Sequence, residues 1–155
     1  VHAADVVAGR VPAGRRVLVV DADGHLRGCG TADLLASQGK QVRIAGEALY
    51  VGQNIDMKTL YPLYRRLRER GVEMLPATRF DGWEHGQPVV SDVFTGARRR
   101  VDADTVVWAG PGVADAALVE PLRAAGLDVR AVGDCVAPRR VENAVHEAHA
   151  VARTL

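Results

Sequence analysis

Cysteine is scarce in this 155-residue chain: Cys29 and Cys135 stand far apart and in no C-x-x-C pattern. That spacing argues against a structural disulfide, a zinc site or an iron–sulfur cluster held by this chain alone. It fits a reduced, cytoplasmic setting. Lysine is just as scarce, with only Lys40 and Lys58 beside an excess of arginine, a pattern read as genomic bias before chemistry. No charge sign dominates. Lys+Arg 20 against Asp+Glu 19 leaves +1, so the basic footprint of a nucleic-acid partner is missing. No apolar run approaches the roughly 18 residues of a membrane helix, and no signal peptide opens the chain. Neither a nucleic acid nor a membrane is expected as a partner. The first residue is Val1 rather than methionine, from which the chain is expected to be a piece of a longer polypeptide.

What is present is ordinary for a globular domain: 48% hydrophobic and 25% charged residues. A chain of this size buries roughly two-thirds of its unfolded surface without a covalent staple. Val17-Leu18-Val19-Val20 is a β-branched run expected to form a strand buried on both faces, as in a parallel sheet. A glycine turn, a helix from about Gly28 to Gln38 and a strand at Val42–Ala45 complete a βαβ unit. The loop from Gly46 to Asn54 carries no readable pattern. Leu60, Leu63, Tyr64 and Leu67 predict a helix over about Asp56–Arg70, with Pro62 either kinking it or marking its start. A strand follows at Val72–Leu75. An antiparallel meander is then expected at about Thr78–Trp83, Val89–Phe94 and Arg99–Asp102, with turns at Glu84-His85-Gly86-Gln87 and Thr95-Gly96. Thr105–Trp108 reads as another buried strand, Ala114–Ala125 as a helix, Val129–Val132 as a strand and Val141–Thr154 as a helix packed through Val145 and Ala148. The fold class is α/β and Rossmann-like, a mostly parallel central sheet with helices on both faces and a three-strand antiparallel meander. Its expected divisions are a lead-in over 1–16, a nucleotide-binding-type domain over 17–128 and a return segment over 129–155.

Strand, glycine turn and helix suggest a dinucleotide fingerprint, which requires G-x-G-x-x-G. Counting back from the helix stop at Gly39 puts the third glycine at Gly28, the first position at Asp23 and the second at His25. The acid expected after the second strand falls on Gly46, with Glu47 one residue late. A carboxylate beside a phosphate at ~4 Å and an effective dielectric near 20 is repelled by about 4 kcal/mol. A helix N-terminus returns only about 0.3–2 kcal/mol. A cation would have to intervene, and Arg27 is the nearest in sequence, with protonated His25 a weaker one. The register is open to a one-residue shift, because Asp21-Ala22-Asp23-Gly24 is acidic throughout. Two readings stand: a nucleotide site with Gly24 and Gly28 as contacts, or a Rossmann-like module that keeps the fold without the ligand.

Val17-Leu18-Val19-Val20-Asp21-Ala22-Asp23-Gly24, the helix Tyr61-Pro62-Leu63-Tyr64-Arg65-Arg66-Leu67 and the segment Gly133-Asp134-Cys135-Val136-Ala137-Pro138-Arg139-Arg140 together resemble the C-terminal region of trimethylamine dehydrogenase, histamine dehydrogenase and related NADH:flavin oxidoreductases. The resemblance spans nearly the whole chain. It implies a multidomain flavoenzyme whose N-terminal barrel carries FMN, with an iron–sulfur cluster in many members. The C-terminal part resembles the FAD- and NAD(P)H-binding domains of the glutathione reductase class. Intact glycines in 2,4-dienoyl-CoA reductase relatives go with NADPH. The substituted turn here resembles the amine dehydrogenase branch, where nucleotide use is lost or changed. Gly133 and Asp134 resemble the second flavin motif of that class, in which an aspartate accepts ribose or ribitol hydroxyls of ADP or FAD. A plain helix-supporting acid is the competing reading of Asp134. Because the resemblance places the other half of such a site in an upstream βαβ unit, the isolated chain is expected not to hold FAD.

His146-Glu147-Ala148-His149 is one residue short of H-E-x-x-H and reads as a solvated helix surface. Arg98-Arg99-Arg100 reads as an exposed rim. Cys29, near a helix start, is either a thiol of lowered pKa or a small buried packing residue. No catalytic residue is assigned. The leading expectation is a nucleotide-binding-type domain of an FMN-dependent amine dehydrogenase or N-demethylase with degenerate NAD(P) binding, partnered by its parent flavin barrel. The alternatives are a working NAD(P)H input domain, and a non-catalytic module for homo-oligomer or electron-transfer-protein contacts.

Overall fold

The structure, a computed structural model, describes residues 1–154. The division expected at 129–155 therefore ends on a residue outside the described ones. The chain falls into two compact units, Val1–Gly110 and a second from Pro111 onward. The lead-in is part of the first unit, and the expected boundary after 128 lies inside the second.

In the first unit α1 (Ala3–Val7) precedes β1 (Arg16–Asp21), α2 (Leu26–Ser37), β2 (Gln41–Ala45), α3 (Met57–Glu69) and β3 (Glu73–Leu75). The meander β4 (Thr78–Glu84), β5 (Gln87–Asp92) and β6 (Arg98–Arg100) follows, and β7 (Thr105–Ala109) closes the unit. The central sheet has the order β3-β2-β1-β7, every pair parallel. The meander is a separate antiparallel sheet in the order β4-β5-β6. The class is α/β, as the buried apolar runs predict.

Side-chain parity along β1 separates two cores. Val17 and Val19 join Leu35 of α2 and Leu60, Leu63 and Leu67 of α3. Leu18 and Val20 join Val90 of β5, Val101 and Ala103. Helices thus cover one face of the sheet and the meander covers the other, a correction to the expectation of helices on both faces. The reason is economy of chain: the meander already supplies an apolar layer, so a second helical layer has no face left to bury.

Several local features follow from residue chemistry. Asp56 caps α3 by accepting the Thr59 amide at 3.1 Å. Pro62 is the sixth residue of α3 and marks neither end. It is exposed, and its missing N–H leaves the carbonyl one turn back without a helical donor. His85 and Gly86 take φ of +51° and +77°, the left-handed pair a two-residue hairpin turn requires.

The second unit holds α4 (Val119–Ala124), a single 3-10 turn at Gly133–Cys135, and α5 (Val141–Ala152). It departs from expectation in three ways. The first helix is only six residues long. Residues 129–132 form no strand, because no neighbouring strand accepts their backbone groups. On α5, Val145 and Ala148 are exposed; the partly covered positions are Asn143, Ala144, Glu147 and Val151.

Candidate functional site

Ligands of open parallel sheets lie beyond the carboxyl ends of the strands. At that end of β1 the residue is Asp21, 5% exposed. Its Oδ2 accepts the Gly52 amide at 2.8 Å, while Oδ1 has no hydrogen-bond partner among the described residues. Burial pushes its carboxyl above the usual range, with Asp23 adding to the push and the Gly52 amide opposing it. Parity along β1 turns Asp21 toward α2, on the same side as Val17 and Val19. There it meets Gly28, where an added Cβ would lie 2.8 Å from Asp21 Cγ. Gly28 is therefore a packing glycine, the role of the third glycine in dinucleotide turns. It is buried beneath the helix start and not open to a ligand. The helix begins two residues earlier than expected, at Leu26, with His25 as its extended N-cap.

Gly24 turns the chain with φ +68°. It is buried too, because a Cβ there would lie 3.0 Å from Gln53 Cγ and 3.1 Å from Asn54 Nδ2. The loop that the sequence left unreadable closes over the turn. Asn54 donates its amide to the Gly24 carbonyl at 2.9 Å and its side chain to the Asp23 carbonyl at 2.8 Å. From below, Tyr64 donates its hydroxyl to the Val51 carbonyl at 2.7 Å. The cleft that is left, about 220 Å³, is lined by Asp21, Asp23, Glu47, Tyr50, Gln53 and Asn54 among others. Pockets for small organic ligands usually exceed about 300 Å³.

Among the described residues no free cation lines this cleft. Arg27 lies 3.8 Å from Asp23 Oδ2 and donates to the Gly110 carbonyl. Asp23 also accepts the His25 amide at 3.0 Å. The arginine invoked to neutralise the turn is thus engaged inside it. Cys29 is fully buried and its thiol is pushed up to about 12 by burial, then by Asp21. It is a packing residue and no nucleophile, despite its place in the first turns of α2.

In the second unit Gly133 is buried with φ +70°. Its amide is taken by Glu147 Oε2 at 2.7 Å, and Arg139 pairs with Oε1 of the same carboxylate. Gly133 shapes the turn and has no N–H left for a ligand. Asp134 is exposed. His146 and His149 are exposed as read, and no group of three metal-ligating side chains occurs among the described residues. Glu147, read as solvated, is not idle. Arg98 pairs with Asp81 and Glu84, at 3.3 and 2.7 Å, while Arg99 and Arg100 stay on the exposed rim. Among the described residues no helix is long and apolar enough to cross a membrane. The residues that sequence reasoning missed are Gly52, Gln53, Asn54 and Glu147; only a motif joining loop to turn could have signalled the first three.

Comparison with known proteins gives a consistent set. The model of the OYE-like second alpha/beta domain matches residues 1–115. N,N-dimethylglycine/sarcosine dehydrogenase of Chromohalobacter salexigens is 26% identical over 178 residues, covering 93% of this chain and 26% of its own length. The structure of histamine dehydrogenase from Rhizobium sp. 4-9 is similar with a TM-score of 0.88 and 25% identity, over 99% of this chain and 26% of that one. For the fold alone, 6-hydroxypseudooxynicotine amine oxidase from Pseudomonas geniculata N1 superposes with a TM-score of 0.86 at 22% identity, over 97% of this chain and 23% of that one. The chain spans about a quarter of the length of these relatives.

Proposed function

This chain belongs to the family of OYE-like second alpha/beta domains, and from that membership we propose that it serves as the nucleotide-binding-type domain of a larger FMN-dependent oxidoreductase of the amine dehydrogenase or N-demethylase type, with its first crevice retired from NAD(P)H binding. The single observation carrying the second half is the closure of the glycine turn. Gly24 is capped by Gln53 and Asn54. A pyrophosphate needs bare backbone amides at a helix start. Here Gln53 and Asn54 stand over the turn that leads into the helix. The dinucleotide does not fit.

The relatives named above act, by their names, on N,N-dimethylglycine, sarcosine and histamine, so a small amine is the substrate class proposed. Its oxidation belongs to FMN, and to any iron–sulfur cluster, held outside this chain on the parent barrel. An adenine nucleotide, as ADP or within FAD, fits the second unit better. Asp134 is an exposed carboxylate, able to accept two ribose or ribitol hydroxyls. Calorimetric titration of the chain with NADH and NADPH tests the closure. The expected result is no binding tighter than about 1 mM; a micromolar Kd for either overturns it and favours a working electron-input domain.

A further inference from the structure

The second unit contains a built contact that neither the nucleotide reading nor the helix pattern explains. Glu147 lies on the second turn of α5, yet its carboxylate reaches back to the amide of Gly133 at 2.7 Å. Arg139 closes on its other oxygen, and the Arg139 Nε donates to the Ala137 carbonyl at 3.2 Å. Three further constraints converge on the same turn. Gly133 has a left-handed φ of +70°, which favours glycine, and a Cβ there would sit 3.1 Å from Ala144 Cβ. Its carbonyl accepts the amides of Val136 and Ala137 at 3.0 and 3.1 Å. Cys135 Sγ lies 3.0 Å from the Val132 carbonyl. Both backbone groups of Gly133 are therefore spent inside the protein, and the side chain the turn offers outward is Asp134.

We propose that Glu147, braced by Arg139, is a positioning residue: it docks the Gly133–Cys135 turn on α5 so that the Asp134 carboxylate is presented to the vicinal hydroxyls of a nucleotide or flavin sugar chain. The proposal rests on the reading of Asp134 as a nucleotide contact. A carboxylate suits the role because a charge-assisted bond to a backbone amide is roughly twice as strong as a neutral one. The same charge standing alone would oppose an incoming phosphate. Arg139 offsets it, so the turn is held firmly at little electrostatic cost to an anionic ligand. Asp134 touches the ligand; Glu147 acts only through it.

The test uses the full-length polypeptide that carries this chain, titrated separately with ADP and with FAD to distinguish the two sources of the hydroxyls. Glu147→Ala is expected to weaken the ligand about tenfold, the loss of one charge-assisted hydrogen bond. Glu147→Gln keeps an acceptor for Gly133 and is expected to stay within about threefold of wild type. All variants are measured where circular dichroism shows them folded. Because Glu147 acts through Asp134, Asp134→Asn should cost much less in the Glu147→Ala background than in wild type. Equal affinity of wild type and Glu147→Ala, or additive losses in the double variant, overturns the positioning role alone. Failure of the wild type to bind either ligand overturns the reading of Asp134 and the positioning role with it.

Discussion

Asp21→Asn separates the electrostatics of the turn from its packing. The wild-type carboxylate has one oxygen on the Gly52 amide and one buried with no partner among the described residues. A buried acceptor left unsatisfied costs about 1–3 kcal/mol, and the cost is greatest when the group is charged. Burial raises the carboxyl of Asp21 in the folded chain, so the folded state holds the proton more tightly than the unfolded one. The resulting stabilisation is complete below about pH 4, the unfolded value, and is lost as pH rises through the folded value. Asparagine nearly matches the shape and has no such titration. Its amide nitrogen, placed where Oδ1 stands, shifts the stability offset equally at every pH. The slope is therefore the diagnostic quantity. Between pH 4 and pH 7 the stability gap should move steadily in favour of the variant. Urea unfolding of both proteins across that range measures it. A gap that stays flat, or moves toward the wild type, refutes the buried, unpaired state of Oδ1.

Two further substitutions probe the same closure. Gly28→Ala drives a methyl group onto the Asp21 carboxylate. Overpacking of about 1–3 kcal/mol set against the helix-propensity gain of about 1 kcal/mol leaves a net loss of up to about 2 kcal/mol in urea unfolding, recovered when Asp21→Ala is added. Asn54→Ala removes the side-chain bond to the Asp23 carbonyl. It should cost about 0.5–1.5 kcal/mol and speed amide exchange at Gly52, which an unchanged exchange rate would contradict.

The parts of the fold that could be read were those where burial is periodic or complete. Val17–Val20 is apolar on both faces because helices lie on one side and the meander on the other, and no solvated strand has that pattern. The Glu84–Gln87 turn was legible because only certain residues tolerate two successive left-handed conformations. Asp21 was within reach: extending the first strand by one residue puts its carboxylate, by parity, under α2. The loop from Gly46 to Asn54 was not legible. It is held by single hydrogen bonds to the Asp21–Gly24 turn some thirty residues away, to Tyr64, and to Leu75, Ala77 and Thr78, and such contacts leave no period in a sequence. Residues 129–132 show the opposite failure. Their β-branched composition fits a strand, yet a strand exists only where another accepts its backbone groups.

The acid-rich turn also explains why the charge argument made from sequence was incomplete. Counting carboxylates gave repulsion of about 4 kcal/mol per phosphate contact, as if each acid faced the ligand. In the structure Asp21 faces inward beneath α2, and Asp23 is tied to the His25 amide and to Arg27. Much of that repulsion is therefore screened or turned away from the cleft. Closure rests instead on shape: Gln53 and Asn54 lie over Gly24. The distinction has consequences. If repulsion alone closed the crevice, neutralising Asp23 would reopen it. With shape as the cause, the loop has to leave as well, and three of the bonds that hold it run to Asp21, Asp23 and Gly24. The acids at the end of β1 thus act less as a barrier to phosphate than as the fastening of the loop that takes its place.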